Sequence, residues 1–344
     1  MKTGRQWLAA IGVLMLVLLA TFYVAGYPGA HKVTKTRFLM DTVVDLTIYG
    51  TSKQEAETLC EEVFAEMQRL ENIFDKNNPC SDISRINDSA GKKWVKVEPE
   101  TIYVLQQALE IAQETGGAFD PTVGPLLELW GFGTEQTRVP SMEEISGVLP
   151  LVDYTAVQLD ATQHKVFLPQ RGMKLDLGGI AKGFIIDQGQ EMLEQASLRA
   201  SFINAGGDIG IRGSKPSGEK WVIAIQDPKN PRQWKATLKI AEGGVATSGD
   251  YQRDFEEKGQ KYHHLLDPKQ GVPARGLSSV TVVASESLEA DAMATAVFIL
   301  GKENGLELIE GLPGIEGVLV DEQGKVFITS GLLGDCEVLE RDNS

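Results

Sequence analysis

Apolar and polar positions alternate along the chain in patterns that predict interleaved strands and helices from residue 33 onward. Val44, Leu46 and Ile48 alternate with polar neighbours, which indicates a half-buried strand. Ser52, with Glu55 three residues later, has the spacing of a capping box and predicts the start of a helix. The apolar residues of that helix recur at three- and four-residue steps: Ala56, Leu59, Val63, Met67 and Leu70.

A second helix is predicted from Pro99 to the pair Gly116-Gly117, because proline favours the first turn of a helix and glycine its C-terminal end. A hairpin turn is predicted near Gln323-Gly324. Further strands are predicted at 157–159, 166–168, 173–175, 201–204, 221–226 and 279–284, with helices at 180–198 and 288–300. This order of elements favours an α+β domain over a strict βαβ array.

The first 30 residues form a separate unit. Lys2 and Arg5 precede an uncharged stretch at 7–27, which is long enough to cross a hydrocarbon core of ~30 Å as a helix. The preceding positive charges predict a cytoplasmic N-terminus with the rest of the chain outside. A cleaved signal peptide is the alternative, but Tyr23 and Pro28 stand where small residues are required for cleavage. We therefore expect an uncleaved anchor at 1–30 and a catalytic domain at 31–344.

Composition narrows the class of protein further. Of the 344 residues, 42% are hydrophobic, which is ample for a core. The net charge of −15 argues against a nucleic-acid partner, since phosphate binding requires a positive face. Three cysteines without a C-x-x-C motif exclude a disulfide scaffold and favour buried or incidental thiols over a redox site.

Three glycine- and acid-rich segments are poor material for a core and are candidates for a site. Residues 116–125 display Asp120 on an irregular loop. Residues 174–183 place Asp176 at a strand end and Lys182 in the first turn of a helix, whose free N–H groups favour an anion. Residues 203–210 place two glycines before Asp208, where a ligand can approach the backbone closely. A helix end, close helix packing and a plain turn are the alternative interpretations of these segments.

A fourth, more specific candidate combines two adjacent histidines with a later helix. Asp291 and Thr295 stand four residues apart among small and apolar neighbours, so both oxygens project from one helix face. A buried acid in such a setting requires a cation or a hydrogen-bond donor. Carboxylate, hydroxyl and backbone carbonyl oxygens suit Mg²⁺ rather than zinc. The alternative is a local hydrogen bond between Asp291 and Thr295.

Together these segments resemble the FAD:protein FMN transferases, the ApbE-type flavin transferases. The matching pieces follow the family order over nearly all of the predicted exported part: Met40-Asp41-Thr42, Ser84-Arg85-Ile86-Asn87, Gly117-Ala118-Phe119-Asp120-Pro121, Asp176-Leu177-Gly178-Gly179-Ile180-Ala181-Lys182-Gly183, Asn204-Ala205-Gly206-Gly207-Asp208, Thr247-Ser248-Gly249-Asp250-Tyr251, His264-Leu265-Leu266-Asp267-Pro268 and Ala290-Asp291-Ala292-Met293-Ala294-Thr295.

The resemblance implies an α+β, mixed-sheet, T-fold-related domain that acts as a Mg²⁺-dependent enzyme. Such enzymes split FAD, attach its FMN half through a phosphoester bond to a threonine or serine of a target protein, and release AMP. Their targets include subunits of Na⁺-translocating NADH:quinone oxidoreductases and Rnf-type complexes. With the predicted anchor, the chain is expected in the cytoplasmic (inner) membrane with its catalytic domain on the periplasmic side.

The resemblance also implies roles for individual residues. The implied FAD contacts are Met40, Asn77, Ala118, Phe119, Asp120, Asp176, Lys182, Asp208, Ser248 and Leu265. The implied metal ligands are Asp291, Thr295 and a main-chain oxygen near Gly179. The segment at 74–77, which contains Asn77, lacks the aromatic residue that many members carry there.

The predicted mechanism is phosphoryl transfer, in which the target hydroxyl attacks the FMN-side phosphorus and AMP leaves. His264 is the candidate general base, because imidazole titrates near neutral pH and the segment places it beside Asp267. His263, expected at the surface, is the rival base. The alternative functions are a FAD pyrophosphatase, with water replacing the hydroxyl, and a non-catalytic exported FAD-binding protein.

Overall fold

The centre of the fold is an eight-stranded sheet whose neighbouring strands all pair antiparallel. The computed structural model describes residues 32–196, 198–215 and 217–339. With strands numbered in chain order, the sheet runs β1 (Lys32–Leu39), β2 (Thr42–Tyr49), β6 (Ala200–Ala205), β7 (Asp208–Arg212), β10 (Gly243–Gly249), β13 (Leu277–Ala284), β14 (Glu316–Asp321) and β15 (Val326–Ile328).

Three smaller sheets flank the large one. They are β16 (Cys336–Val338) with β9 (Asn230–Ile240) and β8 (Trp221–Asp227); β3 (Val95–Lys96) with β5 (Lys165–Phe167) and β4 (Gln158–Asp160); and the hairpin of β11 (Asp254–Glu257) and β12 (Gln260–His263). Side chains of β8 and β9, such as Ile223 and Leu238, share an apolar cluster with Ile211 and Val245 of the large sheet. This cluster buries one side of the large sheet.

Seven α-helices are described. They are α1 (Lys53–Phe74), α2 (Asp82–Asp88), α3 (Pro99–Glu114), α4 (Gly124–Trp130), α5 (Met142–Val148), α6 (Ala181–Gln195) and α7 (Ser287–Gly311). Short 3₁₀ turns follow at Leu149–Leu151, Tyr154–Ala156 and Ser330–Leu332. Apolar side chains of α1, α6 and α7 join those of the sheet in the main core, so these helices cover its second side.

Helix α7 is interrupted at Gly301, whose φ of 77° lies in the left-handed region that glycine tolerates. After the break the chain folds back against the first helical segment. A Cβ on Gly305 would stand only 3.0 Å from the carbonyl oxygen of Val297, which lies before the break. Two helical segments therefore separate β13 from β14, and β14 enters the sheet antiparallel to β13.

The predicted α+β class is confirmed, and several local predictions are confirmed with it. The side chain of Ser52 accepts the Glu55 N–H at 3.3 Å and caps α1. The turn at Gln323-Gly324 joins β14 to β15. The large sheet is antiparallel rather than mixed; within the described ranges the only parallel pairing is the isolated bridge between Val123 and Lys174.

The strand predicted at 173–175 does not form, for a reason that lies in α2. The side chain of Asn87 accepts the Leu175 N–H at 2.7 Å and donates to the Leu175 carbonyl at 2.9 Å. One amide side chain thus occupies both backbone positions that a neighbouring strand would pair with.

Residues 1–31 lie outside the described residues, so the anchor expected at 1–30 stays a prediction. Among the helices that are described, none combines the length and apolar character needed to span a bilayer. All three cysteines are free: Cys60 is buried, Cys80 is exposed and Cys336 is partly buried.

Candidate active site

A cavity of about 360 Å³ lies at one end of the large sheet, where the β1–β2 turn, the β6–β7 turn and the last residues of β10 meet. The start of α6, one face of α7 and the loops around residues 118–123 and 264–268 complete its walls. The cavity brings together every predicted site residue except Asn77: Met40, Ala118, Phe119, Asp120, Asp176, Gly179, Lys182, Asp208, Ser248, His264, Leu265, Asp291 and Thr295.

The close contact between α6 and α7 fixes the position of Asp291. A Cβ on Gly183 would lie 2.2 Å from the carbonyl oxygen of Ser287, so the backbones of the two helices touch at this glycine. The N–H of Gly183 donates to the Asp291 carboxylate at 3.1 Å. Asp187 of α6 accepts the N–H groups of Ser287 and Leu288, each at 2.8 Å, and so caps the helix that carries Asp291.

The Asp291 carboxylate is buried and, within residues 32–339 as described, forms no ion pair. Burial raises its pKa to about 7; nearby Asp208 adds to the rise, and Lys182 opposes it. Lys182 is committed to Asp208, with 2.5 Å between Nζ and Oδ2, and Asp208 also accepts the Thr247 N–H at 3.1 Å. Asp291 therefore presents an uncompensated acid to the cavity.

Neutral oxygen donors stand next to this acid. Thr295 lies one turn further along α7, and its hydroxyl is 3.3 Å from that of Ser248. A Cβ on Gly179 would come within 3.0 Å of the Thr295 Oγ1, so the main chain at Gly179 passes directly over this hydroxyl. The predicted alternative, a hydrogen bond between Asp291 and Thr295, is not among the contacts of the described residues, where Asp291 accepts the Gly183 N–H.

These oxygens fit a hard cation only as a mixed donor set. Among the described residues, no three His, Cys, Asp or Glu side chains are grouped so as to hold a metal. Asp291 supplies one carboxylate, while the other donors near it are hydroxyl and main-chain oxygens. This set suits Mg²⁺, which commonly binds through one or two carboxylates and completes its shell with water and substrate phosphates.

The opposite wall carries a second ion pair, centred on Asp176. Its Oδ2 lies 2.6 Å from the Nζ of Lys76, and its Oδ1 accepts the Gly178 N–H at 2.9 Å. Burial works to raise the pKa of Asp176, but Lys76, this N–H and Arg253 together hold it below its ordinary value. Lys76 lines the cavity, whereas the neighbouring Asn77 is exposed and does not.

Both carboxylate oxygens of Asp120 accept hydrogen bonds from other residues of the protein. Its Oδ1 accepts both the N–H of Thr122 at 2.7 Å and the Thr122 hydroxyl at 2.6 Å, and its Oδ2 accepts the Tyr154 N–H at 3.3 Å. Burial raises the pKa of this carboxyl, although these donors oppose the rise. Asp120 therefore fixes the loop that presents Ala118 and Phe119 to the cavity.

His264 lines the cavity and forms a hydrogen bond with the main chain of Arg253. Its Nδ1 is 3.2 Å from the carbonyl oxygen of Arg253, which assigns the proton to Nδ1 and leaves Nε2 as an acceptor. Burial first, and then the Arg253 guanidinium, lowers the pKa of His264 to about 4. Asp267 accepts N–H groups of Lys269 and Gln270 in its own turn, and among the described residues no hydrogen bond joins it to His264.

A family model described as the ApbE family matches residues 40–319, a range that contains all of these cavity residues. The chain belongs to the ApbE family. Among its relatives, a FAD:protein FMN transferase of Treponema pallidum is 31% identical over 346 residues, which cover 96% of each chain. Another of the same name, from Klebsiella pneumoniae, is 33% identical and covers 85% of this chain and 90% of its own. These relatives confirm the prediction that the chain is an enzyme, a transferase.

Solved structures of the ApbE family share the fold. The ApbE protein of Thermotoga maritima superposes with a TM-score of 0.82 at 36% identity, covering 88% of this chain and 98% of its own. The flavinyl transferase ApbE of Pseudomonas stutzeri gives a TM-score of 0.79 at 30% identity, covering 89% of this chain and 98% of its own.

Several residues of this ApbE cavity escape prediction from the sequence. Lys76 and Arg253 line it, yet neither belongs to a glycine-rich or acid-rich segment. The turn formed by Met40 and Asp41 has φ values of 55° and 56°, a left-handed pair without glycine or asparagine. Glu71 of α1 accepts the Met40 N–H at 2.9 Å and holds this turn in place.

His263 lies in the core and not at the surface, so that prediction is wrong. It is 3% exposed, its Nε2 is 3.0 Å from the Ala274 carbonyl, and its ring meets Phe298 edge-on with 5.4 Å between centroids. Successive residues of β12 point to opposite sides, and Tyr262 is the more exposed of the pair. His263 is thus a structural residue.

The burial of His263 predicts a pH-dependent stability. Burial lowers its pKa from 6.5 to about 4, so between these values the unfolded chain binds a proton that the folded chain excludes. The contribution of His263 to the free energy of unfolding is complete above pH 6.5. It decreases as the pH falls below that value and is lost once the pH has fallen through about 4. We expect His263 to account for a loss of about 2 kcal/mol between pH 7 and pH 5.

Chemical denaturation of the parent and His263→Gln chains at the two pH values measures this effect. The glutamine amide still reaches a carbonyl, and the pH-dependent part of the unfolding free energy is expected to shrink. An equal pH dependence in both chains would assign the effect to other groups.

Proposed function

We propose that the chain transfers the FMN half of FAD to a threonine or serine hydroxyl of a protein, releases AMP and requires Mg²⁺. The observation that carries this proposal is the convergence of the unpaired Asp291 carboxylate with the Thr295 and Ser248 hydroxyls in one cavity. The names of the relatives, FAD:protein FMN transferase, supply the substrate. The cavity residues supply the functional groups that such a transfer requires.

The charge balance of the cavity favours a divalent cation. Its walls carry five aspartates but only three basic side chains: Asp41, Asp120, Asp176, Asp208 and Asp291 against Lys76, Lys182 and Arg253. A diphosphate brings further negative charge, so it is repelled unless a cation enters with it. When bound, Mg²⁺ offsets charge on the diphosphate oxygens; Asp291, Thr295 and the Gly179 carbonyl are the residues that would hold it.

His264 supplies the proton acceptor in this proposal. The acceptor hydroxyl oxygen forms a bond to the FMN-side phosphorus, and the bond from that phosphorus to the bridging oxygen breaks. The hydroxyl proton passes to Nε2 of His264, and AMP leaves with the bonding electrons on its phosphate oxygen. The hydrogen bond from Nδ1 to the Arg253 carbonyl keeps Nε2 unprotonated and free for this role.

We also propose which protein accepts the flavin and where in the cell the chain lies. An exported flavin-accepting protein, such as a subunit of a Na⁺-translocating NADH:quinone oxidoreductase or an Rnf-type complex, is the expected acceptor. The uncharged stretch at 7–27, preceded by Lys2 and Arg5, supports anchorage in the cytoplasmic membrane with the cavity on the outer side.

A transfer assay with the full chain tests the proposed reaction. The chain is incubated with FAD, Mg²⁺ and an acceptor protein, and mass spectrometry and chromatography follow the protein and the nucleotides. An FMN adduct on a threonine or serine together with AMP is the expected result. Free FMN and AMP without an adduct would indicate a pyrophosphatase, and FAD recovered intact would indicate a binding protein.

The low pKa of His264 predicts the pH profile of this reaction. With a pKa of about 4, His264 is neutral throughout the neutral range, so its protonation should reduce the rate only below about pH 5. His264→Asn is expected to lower the rate by about 10²- to 10⁴-fold and to remove this acidic limb. His263→Gln, which changes the adjacent core histidine, serves as the control. A His264→Asn chain with the parent rate and profile would place the base elsewhere.

A further inference from the structure

Arg253 is the basic cavity residue whose side chain has no acidic partner. Lys76 is paired with Asp176 and Lys182 with Asp208, whereas the Arg253 guanidinium forms no ion pair or side-chain hydrogen bond within the described ranges. Arg253 is exposed and stands at the cavity wall, directly before β11. Its positive charge is therefore available to a ligand.

The backbone around Arg253 is held firmly, so its side chain starts from a fixed position. Its carbonyl oxygen accepts both the His264 N–H at 3.1 Å and the contact from Nδ1 of the same residue at 3.2 Å. One residue earlier, the Gln252 side-chain amide donates to the Thr247 carbonyl at 2.8 Å. The turn is thus tied to both β10 and the segment that carries the candidate base.

The positive charge of Arg253 acts on three ionisable residues of the cavity. After the stronger effects of burial and of Lys76, it helps to hold the pKa of Asp176 down, and after burial it is the next cause that lowers the pKa of His264. It also opposes the rise that Asp208 and Asp291 cause in the pKa of Lys182. All three residues line the same cavity as Arg253, so a ligand in that cavity lies within reach of its charge.

We propose that the Arg253 guanidinium binds the diphosphate oxygens of the flavin dinucleotide and offsets the charge that passes to the departing phosphate. The inference rests on the proposed function for the identity of the ligand. A guanidinium forms two parallel hydrogen bonds with phosphate oxygens, which an ammonium group cannot reproduce. The flavin ring is not required for this contact, so any nucleotide diphosphate should sense it.

Ligand binding to the full chain, measured by calorimetry without acceptor, tests this role. The probes are FAD, ADP, which has the diphosphate but no flavin, and riboflavin, which has the flavin but no phosphate. We expect Arg253→Gln to weaken FAD and ADP binding by about 10- to 100-fold, with riboflavin binding changed less than twofold. Arg253→Lys should recover part of the loss, because it restores the charge but not the paired hydrogen bonds. Arg232→Gln, at an exposed arginine on β9, is the matched control.

The outcomes separate this inference from the proposed function. Unchanged ADP binding in Arg253→Gln, or equal losses for riboflavin and ADP, would overturn the role of Arg253. A raised KM for the acceptor protein with unchanged FAD binding would also overturn it and assign Arg253 to the acceptor. Arg253-dependent ADP binding in a chain that transfers no FMN would leave the inference standing and overturn the proposed function alone.

Discussion

Replacing Asp291 by asparagine is expected to lower the rate of flavin transfer by at least about 100-fold while the fold stays intact. Asparagine keeps the shape of the side chain and still accepts the Gly183 N–H, but it removes the one unpaired acid next to Thr295. Because burial raises the pKa of Asp291 to about 7, its charge is costly to the folded chain. The thermal midpoint of Asp291→Asn should therefore be equal to that of the parent chain or higher.

Transfer assays over a range of Mg²⁺ concentrations, together with thermal unfolding, check this expectation. Glu289→Gln is the matched control, since Glu289 is an acid on the same helix, is partly buried and does not line the cavity. The control should keep the parent rate. An Asp291→Asn chain whose rate is within a few-fold of the parent would remove Asp291 from the site and with it the proposed cation ligand.

The second large effect is expected at Gly183, where alanine should destabilise the fold by about 3 kcal/mol. Its Cβ would stand 2.2 Å from the Ser287 carbonyl oxygen and 2.7 Å from the Leu288 Cα, both backbone atoms that cannot turn aside. The two helices must separate, which moves Lys182 away from Asp291. Loss of transfer activity should therefore accompany the loss of stability.

Urea unfolding of Gly183→Ala measures the first effect and the transfer assay the second. Gly147→Ala in α5 is the control, because no atom lies within 4 Å of the added Cβ and alanine favours a helix by about 1 kcal/mol. Gly147→Ala should be neutral or stabilising. Equal stability of Gly183→Ala and the parent chain would contradict the tight contact of α6 with α7.

Features that depend on neighbours in sequence were predictable. Ser52 and Glu55 give the start of α1, and the four-residue spacing of Asp291 and Thr295 gives one helix face. Contacts between distant residues were not. The side chain of Asn87 replaces a strand partner of Leu175 through a separation of 88 residues, and no local pattern contains that information. The predicted strand at 173–175 fails for this reason.

The same distinction applies to the site. The family resemblance supplied the residues that its motifs contain, from Met40 to Thr295. It did not supply Lys76 or Arg253. Lys76 is recognised by its ion pair with Asp176, and Arg253 by the lack of an ion pair among the described residues, since Asp208 is already paired with Lys182. The choice between His263 and His264 depended on which of the two faces the core; His263, the last residue of β12, is buried, and this orientation follows from how the β11–β12 hairpin packs.

The left-handed turn at Met40 and Asp41 has a consequence for how this domain can be improved. In this conformation Met40 costs about 1–2 kcal/mol relative to glycine, and Asp41 is also less favourable than glycine there. Selection for thermostability alone would favour Asn-Gly here, since that dipeptide suits the turn. It would also remove the Met40 side chain from the cavity wall. Under the proposed function, heat resistance and binding of the flavin nucleotide therefore compete at this two-residue turn, and libraries screened only for heat resistance should select against the native pair.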